Sequence, residues 1–255
     1  MGVVRSGLPP ATGLRRAAVP AGTVVYALGD IHGCADLLAE LHRSIFADAA
    51  GRAAQRRVIV YLGDYASRRP HGRKVIEMLL HPAPRGFERV TLKGNHEDVL
   101  LRFLDGEIGA GETWMQCGGI AALREYGIDG FQVGTVPDLA SIQRRFRAAF
   151  PDDYERFYRS LALRHREGGY GFVHGGVRPG VLFEEQSEHD LIWIREPFLQ
   201  SNADFGLTIV HGHSIVKTPE VRDNRIGIDT GAFKSGVLTC LVLEGETREF
   251  LQTFP

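Results

Sequence analysis

Three glycine-flanked polar motifs, each directly after an apolar run typical of a β-strand, constrain this chain more than any other feature. The runs and their motifs are, in order, 24–28 with GDIHG (29–33), 57–62 with GD (63–64), and 88–93 with GNHE (94–97). The motifs therefore fall where strands end and loops begin, and ligand sites form at that edge of an open α/β sheet. We expect the three loops to bring their polar side chains together.

The side chains of these loops have the chemistry of a metal site. They are Asp30, His32, Asp64, Asn95 and His96. Carboxylates, imidazoles and an amide oxygen in one place suit one or two divalent metals of intermediate hardness. Two later β-like segments add imidazoles, which are His174 in 170–176 and His211 and His213 in 207–214.

The order of these residues, Asp-x-His, Asp, Asn-His, His and Gly-His, resembles the phosphoprotein phosphatase branch of the calcineurin-like metallophosphoesterases. The resemblance runs from about residue 24 to the C-terminus, and glycines lie beside nearly every member of the set. The stretches LIWIREPF (191–198) and IDTGA (228–232) resemble in particular the bacterial serine/threonine protein phosphatases. The resemblance implies an α/β fold of four layers, α/β/β/α, in which two facing mixed sheets are flanked by helices.

The resemblance also implies a dinuclear metal centre bridged by Asp64. The other implied ligands are Asp30 and His32 on the first metal and Asn95, His174 and His213 on the second. Manganese is the expected metal, with iron or zinc as alternatives. Two such metals polarise phosphoryl oxygens and acidify a bridging water, which would attack phosphorus directly and without a covalent phosphoenzyme. We expect His211, which would share a strand face with His213, to be a pocket residue rather than a ligand.

Four residues are expected to handle the phosphate group. His96 follows a metal ligand and would act as the general acid that protonates the leaving-group oxygen. Arg68 and Arg195 match the family's phosphate-binding arginines, because a guanidinium grips phosphate oxygens in a planar fork. Asn95 would also contact the substrate. Two weaker candidates, expected to be solvated surface residues, are Arg69 and Arg178.

One loop departs from the family's pattern. Where the family has GD-x-x-DRG, this chain has GDYASRR (63–69), so Ser67 replaces the second acid and Arg69 replaces the glycine. In the family that carboxylate pairs with the general-acid histidine and raises its pKa. A serine hydroxyl brings no charge, and we therefore expect His96 to be a weaker acid with a lower pKa.

Two enzymatic hypotheses and one binding hypothesis follow. The first is a phosphatase that hydrolyses phosphomonoesters, above all phosphoserine and phosphothreonine on proteins, with phosphotyrosine or a small phosphoester also considered. The alternative is a dinucleoside polyphosphate hydrolase acting on diadenosine tetraphosphate, because that sister branch carries a small neutral residue at the position of Ser67. The third is a weakly active relative that binds phosphoproteins, and the complete set of metal ligands counts against it.

The remaining pattern predicts how the chain is organised. Helices are expected at 34–49, 71–81 and 97–105, each after a strand, and later strands at 170–174, 207–211, 225–229, 236–243 and 247–252. The segment from about 107 to 168 is rich in charged and aromatic residues, and it is expected to be a helical insertion, chiefly at 139–150 and 152–162. We expect one catalytic domain over 23–255 after a flexible tail over 1–22.

Composition limits the class of protein. The 255 residues carry a net charge of −1, which argues against a general nucleic-acid binder. Three cysteines show no disulfide or metal spacing, so a reducing compartment fits best. No apolar run is long enough to cross a membrane and no signal peptide is evident, so we expect a cytoplasmic protein. Its expected partner is a phosphorylated protein or a small phosphoester, and no feature indicates an oligomeric state.

Overall fold

Two β-sheets lie face to face at the centre of the molecule, with helices packed on their outer faces. The computed structural model describes residues 2–7, 17–129 and 138–254. Within these residues the layers are the α/β/β/α sandwich with a helical insertion that the sequence predicts, so the predicted fold is confirmed.

The first sheet carries the three motif loops. Its strands are, in spatial order, β1 (Val3–Gly7), β11 (Thr247–Thr253), β10 (Thr239–Glu244), β2 (Thr23–Leu28), β3 (Arg56–Tyr61) and β4 (Phe87–Thr91). Strands β2, β3 and β4 are parallel, whereas β1, β11 and β10 pair antiparallel with their neighbours. Because parallel strands end at the same edge of a sheet, the loops after β2, β3 and β4 meet there.

The second sheet supplies the later histidines. Its strands are, in spatial order, β5 (Arg164–Glu167), β6 (Tyr170–Val173), β7 (Thr208–His211), β9 (Arg225–Gly227) and β8 (Glu220–Val221). Strands β6, β7 and β9 are parallel. Strand β6 ends directly before His174, and β7 ends two residues before His213. The carboxyl ends of the parallel strands in both sheets therefore contribute to one site.

One apolar layer joins the two sheets. It is built from alternate residues of the first sheet and inward-facing residues of the second, including Val25, Ala27, Val58, Val60, Tyr170, Phe172, Val210 and Ile226. The intervening residues of β2, such as Val24 and Tyr26, belong to the helix-covered core on the other side. Both faces of β2 are thus buried, which explains why its sequence is a continuous apolar run rather than an alternating one.

Helices cover both outer faces. They are α1 (Ala35–Ala50), α2 (Gly72–Leu80), α3 (Asn95–Leu104), α4 (Ile108–Trp114), α5 (Ile120–Glu125), α6 (Leu139–Ala149), α7 (Asp152–Arg159), α8 (Glu188–Trp193) and α9 (Ala232–Ser235). Helices α8 and α9 lie between the later predicted strands, where no helix was predicted. Helix α8 forms there because the Ser187 side chain accepts a hydrogen bond from the Asp190 N–H and so caps its first turn. Among the described helices, none is both long and apolar enough to cross a bilayer.

The helical insertion packs on α3 through aromatic rings. A π-helical turn, Met115–Gly119, separates α4 from α5, and α6 and α7 complete the segment. The rings in contact are Phe103, Trp114, Tyr126, Phe146 and Phe150. Trp114 is fully buried among them. The stretch 130–137, between α5 and α6, lies outside the described residues.

Residues 3–7, within the flexible tail expected over 1–22, form a strand. Strand β1 pairs antiparallel with β11 and extends the edge of the first sheet. Arg5 in this strand donates to Glu249 at 3.0 Å and to Asp48 at 2.8 Å. The free backbone groups of a sheet edge favour such pairing. No local sequence pattern predicts it, because β11, the partner of β1, lies at the other end of the chain. Residues 8–16 lie outside the described part of this segment.

Candidate active site and metal centre

The predicted ligands converge where the two sheets meet. A cavity of about 560 Å³, here called the metal cavity, opens at this point. Its lining includes Asp30, His32, Asp64, Arg68, Asn95, His96, Cys117, Trp193, Arg195, His213 and Asp229. His174 lies in the wall behind them and is completely buried. All six predicted metal ligands are thus brought together, along with His96 and both predicted arginines.

Asp64 lies at the centre of the group. Its Oδ2 atom is 3.4 Å from His32 Nε2 and 3.7 Å from His96 Nε2. Its Oδ1 atom is 3.5 Å from His174 Nε2. The two oxygens of one carboxylate therefore face two separate groups of ligands, which is the arrangement that a bridging carboxylate requires.

A second cluster forms around the side-chain oxygen of Asn95. Asn95 Oδ1 lies 3.0 Å from His174 Nε2 and 3.0 Å from His213 Nδ1. Helix α3 begins at Asn95, two residues earlier than predicted, so this amide is held in the first helical turn. The three atoms converge closely enough to share one ion.

Hydrogen bonds to main-chain carbonyls orient two of the imidazoles. His174 Nδ1 lies 2.9 Å from the Leu62 carbonyl oxygen, and His32 Nδ1 lies 3.3 Å from the Ala66 carbonyl oxygen. In both rings Nε2 is left facing Asp64. Metal-binding histidines are commonly oriented in this way, through a hydrogen bond at the other ring nitrogen.

Two further acidic residues stabilise the loops around Asp64. Asp30 accepts hydrogen bonds from the His213 N–H at 3.2 and 3.1 Å. Glu97 accepts from the N–H groups of Asp64 and Gly94 at 2.8 and 2.9 Å, which ties the loop after β3 to the start of α3. Burial, reinforced by the charge of Asp64, raises the pKa of Glu97 to about 8. A Cβ atom on Gly94 would lie 2.2 Å from an Asp64 oxygen, so this approach requires glycine.

Asp229 is a site residue that the sequence analysis did not single out. It follows β9, is 2% exposed and lines the metal cavity. Burial, and then the negative charges of Asp229 and Asp64, raise the pKa of Asp30. The signal was present, because Asp229 stands just after an apolar run, as Asp30 and Asp64 do.

This donor set fits two divalent metal ions. Asp30, Asp64 and Asp229 concentrate negative charge in a buried site, and cations would relieve their repulsion. Burial opposes ionisation of Asp64, but the neighbouring imidazoles outweigh it and hold its pKa below the usual range. Burial also lowers the pKa of His32 and of His213 to about 3, so both rings are neutral. Ionised carboxylates and neutral imidazoles are the forms that bind metals.

Ser67 is engaged by the insertion rather than by the expected general acid. The Trp114 indole N–H donates to Ser67 Oγ at 3.1 Å, and both side chains are buried. His96 Nδ1 is buried and has no hydrogen-bond partner among the described residues. Burial, with a smaller contribution from Arg68, lowers the pKa of His96 against the opposing charge of Asp64. The direction of this shift agrees with the expectation from Ser67.

The two predicted phosphate-binding arginines are free of carboxylate partners within the described residues. Arg68 places its guanidinium 4.5 Å from the centre of the Phe233 ring. Arg195 donates from Nε to His213 Nε2 at 3.2 Å. By contrast, Arg178 is exposed and bound to Asp190 by two hydrogen bonds of 2.9 and 2.6 Å, so it is not a site residue.

Two remaining candidates lie outside the lining of the metal cavity. Arg69 is exposed, as expected of a surface residue. His211 is buried with its ring 5.0 Å from the Phe198 ring, and its Nδ1 lies 3.0 Å from the Gly212 carbonyl oxygen. Its position behind the cavity agrees with the expectation that it is not a ligand.

The sequence over residues 23–232 matches the family model of the calcineurin-like phosphoesterases. The chain belongs to the calcineurin-like phosphoesterase family. It is therefore a metal-dependent phosphoester hydrolase, as the site geometry indicates, and the resemblance drawn from the motifs is confirmed.

Individual relatives of this calcineurin-like phosphoesterase carry different names. The asymmetrical bis(5'-nucleosyl)-tetraphosphatase PrpE of Halalkalibacterium halodurans is 24% identical over 240 residues, which cover 84% of this chain and 87% of the relative. A solved structure provisionally described as a diadenosine tetraphosphatase has a TM-score of 0.55 and 19% identity. The match covers 88% of this chain and 93% of the chain in that structure. The solved structure of a cold-active protein tyrosine phosphatase has a TM-score of 0.59 and 17% identity. The match covers 92% of this chain and 81% of the phosphatase chain. At these identities the two solved structures establish the fold alone.

The serine/threonine specificity expected first from the sequence has no counterpart in the name of this PrpE relative. That name corresponds instead to the alternative, a dinucleoside polyphosphate hydrolase. The coarser assignment, hydrolysis of a phosphoester with the help of metal ions, is unaffected.

Proposed function

We propose that this calcineurin-like phosphoesterase hydrolyses dinucleoside polyphosphates of the diadenosine tetraphosphate class. The observation that carries the proposal is the state of His96, whose Nδ1 is buried without a hydrogen-bond partner in the described residues. Ser67 stands where the resemblance implies an acid, and its hydroxyl is bound by Trp114 instead. A histidine whose Nδ1 has no carboxylate partner is a weaker proton donor than one in which a carboxylate binds that nitrogen. A nucleotide leaves as a phosphate anion and needs less protonation than a serine alkoxide. The name of the PrpE relative supports the same substrate class.

In this proposal the metal ligands have the roles expected from the sequence. Asp64 would bridge two ions, because its two oxygens face separate ligand groups. The remaining ligands would be Asp30 and His32 on one side and Asn95, His174 and His213 on the other. Bound there, divalent ions would polarise the phosphoryl oxygens and acidify water.

Arg68 and Arg195 would hold the polyphosphate chain. Both line the metal cavity, and neither pairs with a carboxylate in the described part of the chain. Unpaired guanidinium groups offer several N–H donors to phosphate oxygens. His96 Nε2, on the Asp64 side of its ring, would donate a hydrogen bond to the leaving oxygen, and Asn95 would contact the substrate from the start of α3.

A second candidate is a phosphatase acting on phosphorylated proteins. It is favoured by LIWIREPF and IDTGA, the stretches that resemble the bacterial protein phosphatases, since they place Arg195 and Asp229 in the metal cavity. This candidate requires protonation of a poor leaving group, which His96, with no partner at Nδ1 in the described residues, is poorly suited to provide.

One comparison tests the proposal. Manganese-loaded protein is given diadenosine tetraphosphate, a phosphoserine/phosphothreonine peptide and a phosphotyrosine peptide under the same conditions. We expect kcat/KM for the dinucleotide to exceed that for either peptide by roughly a hundredfold, corresponding to about 2.7 kcal/mol of transition-state stabilisation. A preference for either peptide would overturn the proposal and support the second candidate.

A further inference from the structure

We propose that a cavity beside the metal centre binds a nucleoside of the substrate, with Trp193 as the stacking surface. This inference rests on the proposed function and specifies how the dinucleotide is held. The cavity, here called the side cavity, has a volume of about 390 Å³. Its lining is Val99, Arg102, Glu107, Gly109, Ala110, Thr113, His189 and Trp193.

Trp193 connects the two cavities, because its indole lines both. The indole packs edge-on against the His213 ring, with centroids 6.4 Å apart and planes at 82°. It is nearly parallel to the exposed His189 ring, at 6.4 Å and 20°. A half-buried indole at the border of a phosphate site is a surface on which a nucleobase can stack.

The charges of the two cavities differ in the way that a dinucleoside polyphosphate requires. The metal cavity contains Arg68 and Arg195, which have no carboxylate partners in the described residues. In the side cavity the cation is Arg102, and it is neutralised by ion pairs with Glu107 and Asp98. The polyphosphate therefore suits the metal cavity, and an uncharged nucleoside suits the side cavity.

The remaining lining has the composition of a small-molecule site. Val99 and Ala110 provide an apolar surface, whereas Thr113 and His189 provide polar groups that can hydrogen-bond to a base or a ribose. Helix α4 of the insertion contributes Gly109, Ala110 and Thr113. The insertion would thus select the substrate, in addition to packing on α3.

Gly109 provides a way to block the side cavity without touching the metal site. A Cβ atom at this exposed position would meet nothing within 4 Å, so a larger side chain is accommodated on the helix and projects into free space. Gly109→Phe should fill the side cavity, whereas Gly109→Ala is the matched control that also replaces the glycine of the helix but leaves the cavity open.

Kinetics with two substrates distinguish the loss of a nucleoside site from general damage to the catalytic centre. We expect Gly109→Phe to raise KM for diadenosine tetraphosphate at least roughly tenfold, the scale of losing one stacked base. Its kcat/KM for p-nitrophenyl phosphate should stay at the wild-type value. Gly109→Ala should keep the wild-type KM for diadenosine tetraphosphate and the wild-type kcat/KM for p-nitrophenyl phosphate. An unchanged KM for the dinucleotide, or an equal loss with both substrates, would overturn the inference.

Fluorescence provides a binding test that does not depend on turnover. The chain has two tryptophans, and since Trp114 is fully buried, a ligand in the side cavity would affect Trp193. A non-hydrolysable methylene-bridged diadenosine tetraphosphate should quench the emission of wild type and Gly109→Ala but not of Gly109→Phe. If wild type fails to hydrolyse the dinucleotide yet shows this pattern, the proposed function is wrong and the nucleoside site is supported. Absence of quenching in wild type would overturn the site.

Discussion

Trp114 of the insertion donates a hydrogen bond from its indole N–H to the hydroxyl of Ser67, across 3.1 Å and 47 residues of sequence. A second bond joins the same segments, from the Arg68 N–H to the Gly118 carbonyl oxygen at 3.1 Å. Ser67 and Arg68 both have positive φ angles, 73° and 62°, which non-glycine residues adopt only when their surroundings hold them there. The insertion therefore holds the loop that presents Arg68 to the metal cavity.

The Trp114→Phe variant should show what this contact contributes. It keeps an aromatic ring but leaves Ser67 Oγ buried without its donor, which costs about 1–3 kcal/mol of folding stability. We also expect KM for the phosphoester to rise several-fold because Arg68 is less well held, while metal content is retained. Urea unfolding and steady-state kinetics measure the two effects.

A double-mutant cycle provides the control for Trp114. Ser67→Ala removes the hydroxyl that the indole satisfies, so the double variant should be less destabilised than the sum of the two single variants. Strictly additive losses would show that the hydrogen bond contributes nothing beyond ring packing.

Ser67→Asp should restore a carboxylate partner for His96. A nearby negative charge favours the imidazolium and raises the pKa of His96, which burial holds low in this chain. The protonated form then persists to higher pH, so the alkaline limb of the pH–rate profile should move upward and turnover of poor leaving groups should increase. Ser67→Asn, similar in shape but uncharged, should show neither change. Identical profiles for the Asp and Asn variants would contradict a role for charge.

Asp229→Asn should weaken metal binding. Asp229 is buried in the metal cavity, and its charge contributes to the raised pKa of Asp30. Losing an acidic residue beside the ligands typically lowers metal affinity by about 10- to 100-fold. Metal content after dialysis against a chelator measures the effect, with the exposed Asp223→Asn as the control. Equal metal content in the two variants would exclude Asp229 from the metal site.

Arg195→Ala should impair phosphate binding. Arg195 lines the metal cavity without a carboxylate partner in the described residues, so its guanidinium is free for the substrate. We expect kcat/KM to fall by about 100-fold, as for the loss of a charge-assisted contact. Arg178→Ala is the matched control, because Arg178 is bound to Asp190 away from the cavity, and it should retain wild-type kinetics. Metal content must be checked in parallel, since Arg195 also donates to His213.

In metal-free protein, the contribution of His32 to stability should decline as the pH falls from about 6.5 toward 3. Burial lowers the pKa of His32 to about 3 in the folded chain, from an ordinary value of 6.5. The unfolded chain binds more protons in this window, which costs about 1.4 kcal/mol per pH unit for each such histidine. This contribution is complete above pH 6.5 and declines as the pH falls. Urea unfolding across this range should give a shallower dependence of stability on pH for His32→Asn than for wild type.

The convergence of the predicted metal ligands could be inferred from the sequence because a single physical rule places them together. Residues that follow neighbouring parallel strands share one edge of a sheet, and this rule located Asp30, Asp64, Asn95 and His174. It applies to Asp229 as well, but that residue was noted as part of a family-like stretch and not assigned a role. The rule concerns strand ends, so it could not identify the side cavity, which is built between helices.

Contacts between distant segments account for what was missed. The Trp114–Ser67 hydrogen bond depends on how the insertion packs, and no spacing in the sequence encodes it. The pairing of β1 with β11 likewise joins the two ends of the chain. The predicted flexible tail followed from its local composition, which contains no information about a partner strand nearly 250 residues away.

The pairing of β1 with β11 also brings the two ends of the described chain next to each other. The Phe254 N–H donates to the Gly2 carbonyl oxygen at 3.0 Å, so the two ends of the described chain are neighbours on one sheet. A short linker could join them, with new ends opened in the exposed turn near Gly180. In such a permuted protein both sheets would remain paired, and the order of the metal ligands along the chain would change while their order in space did not.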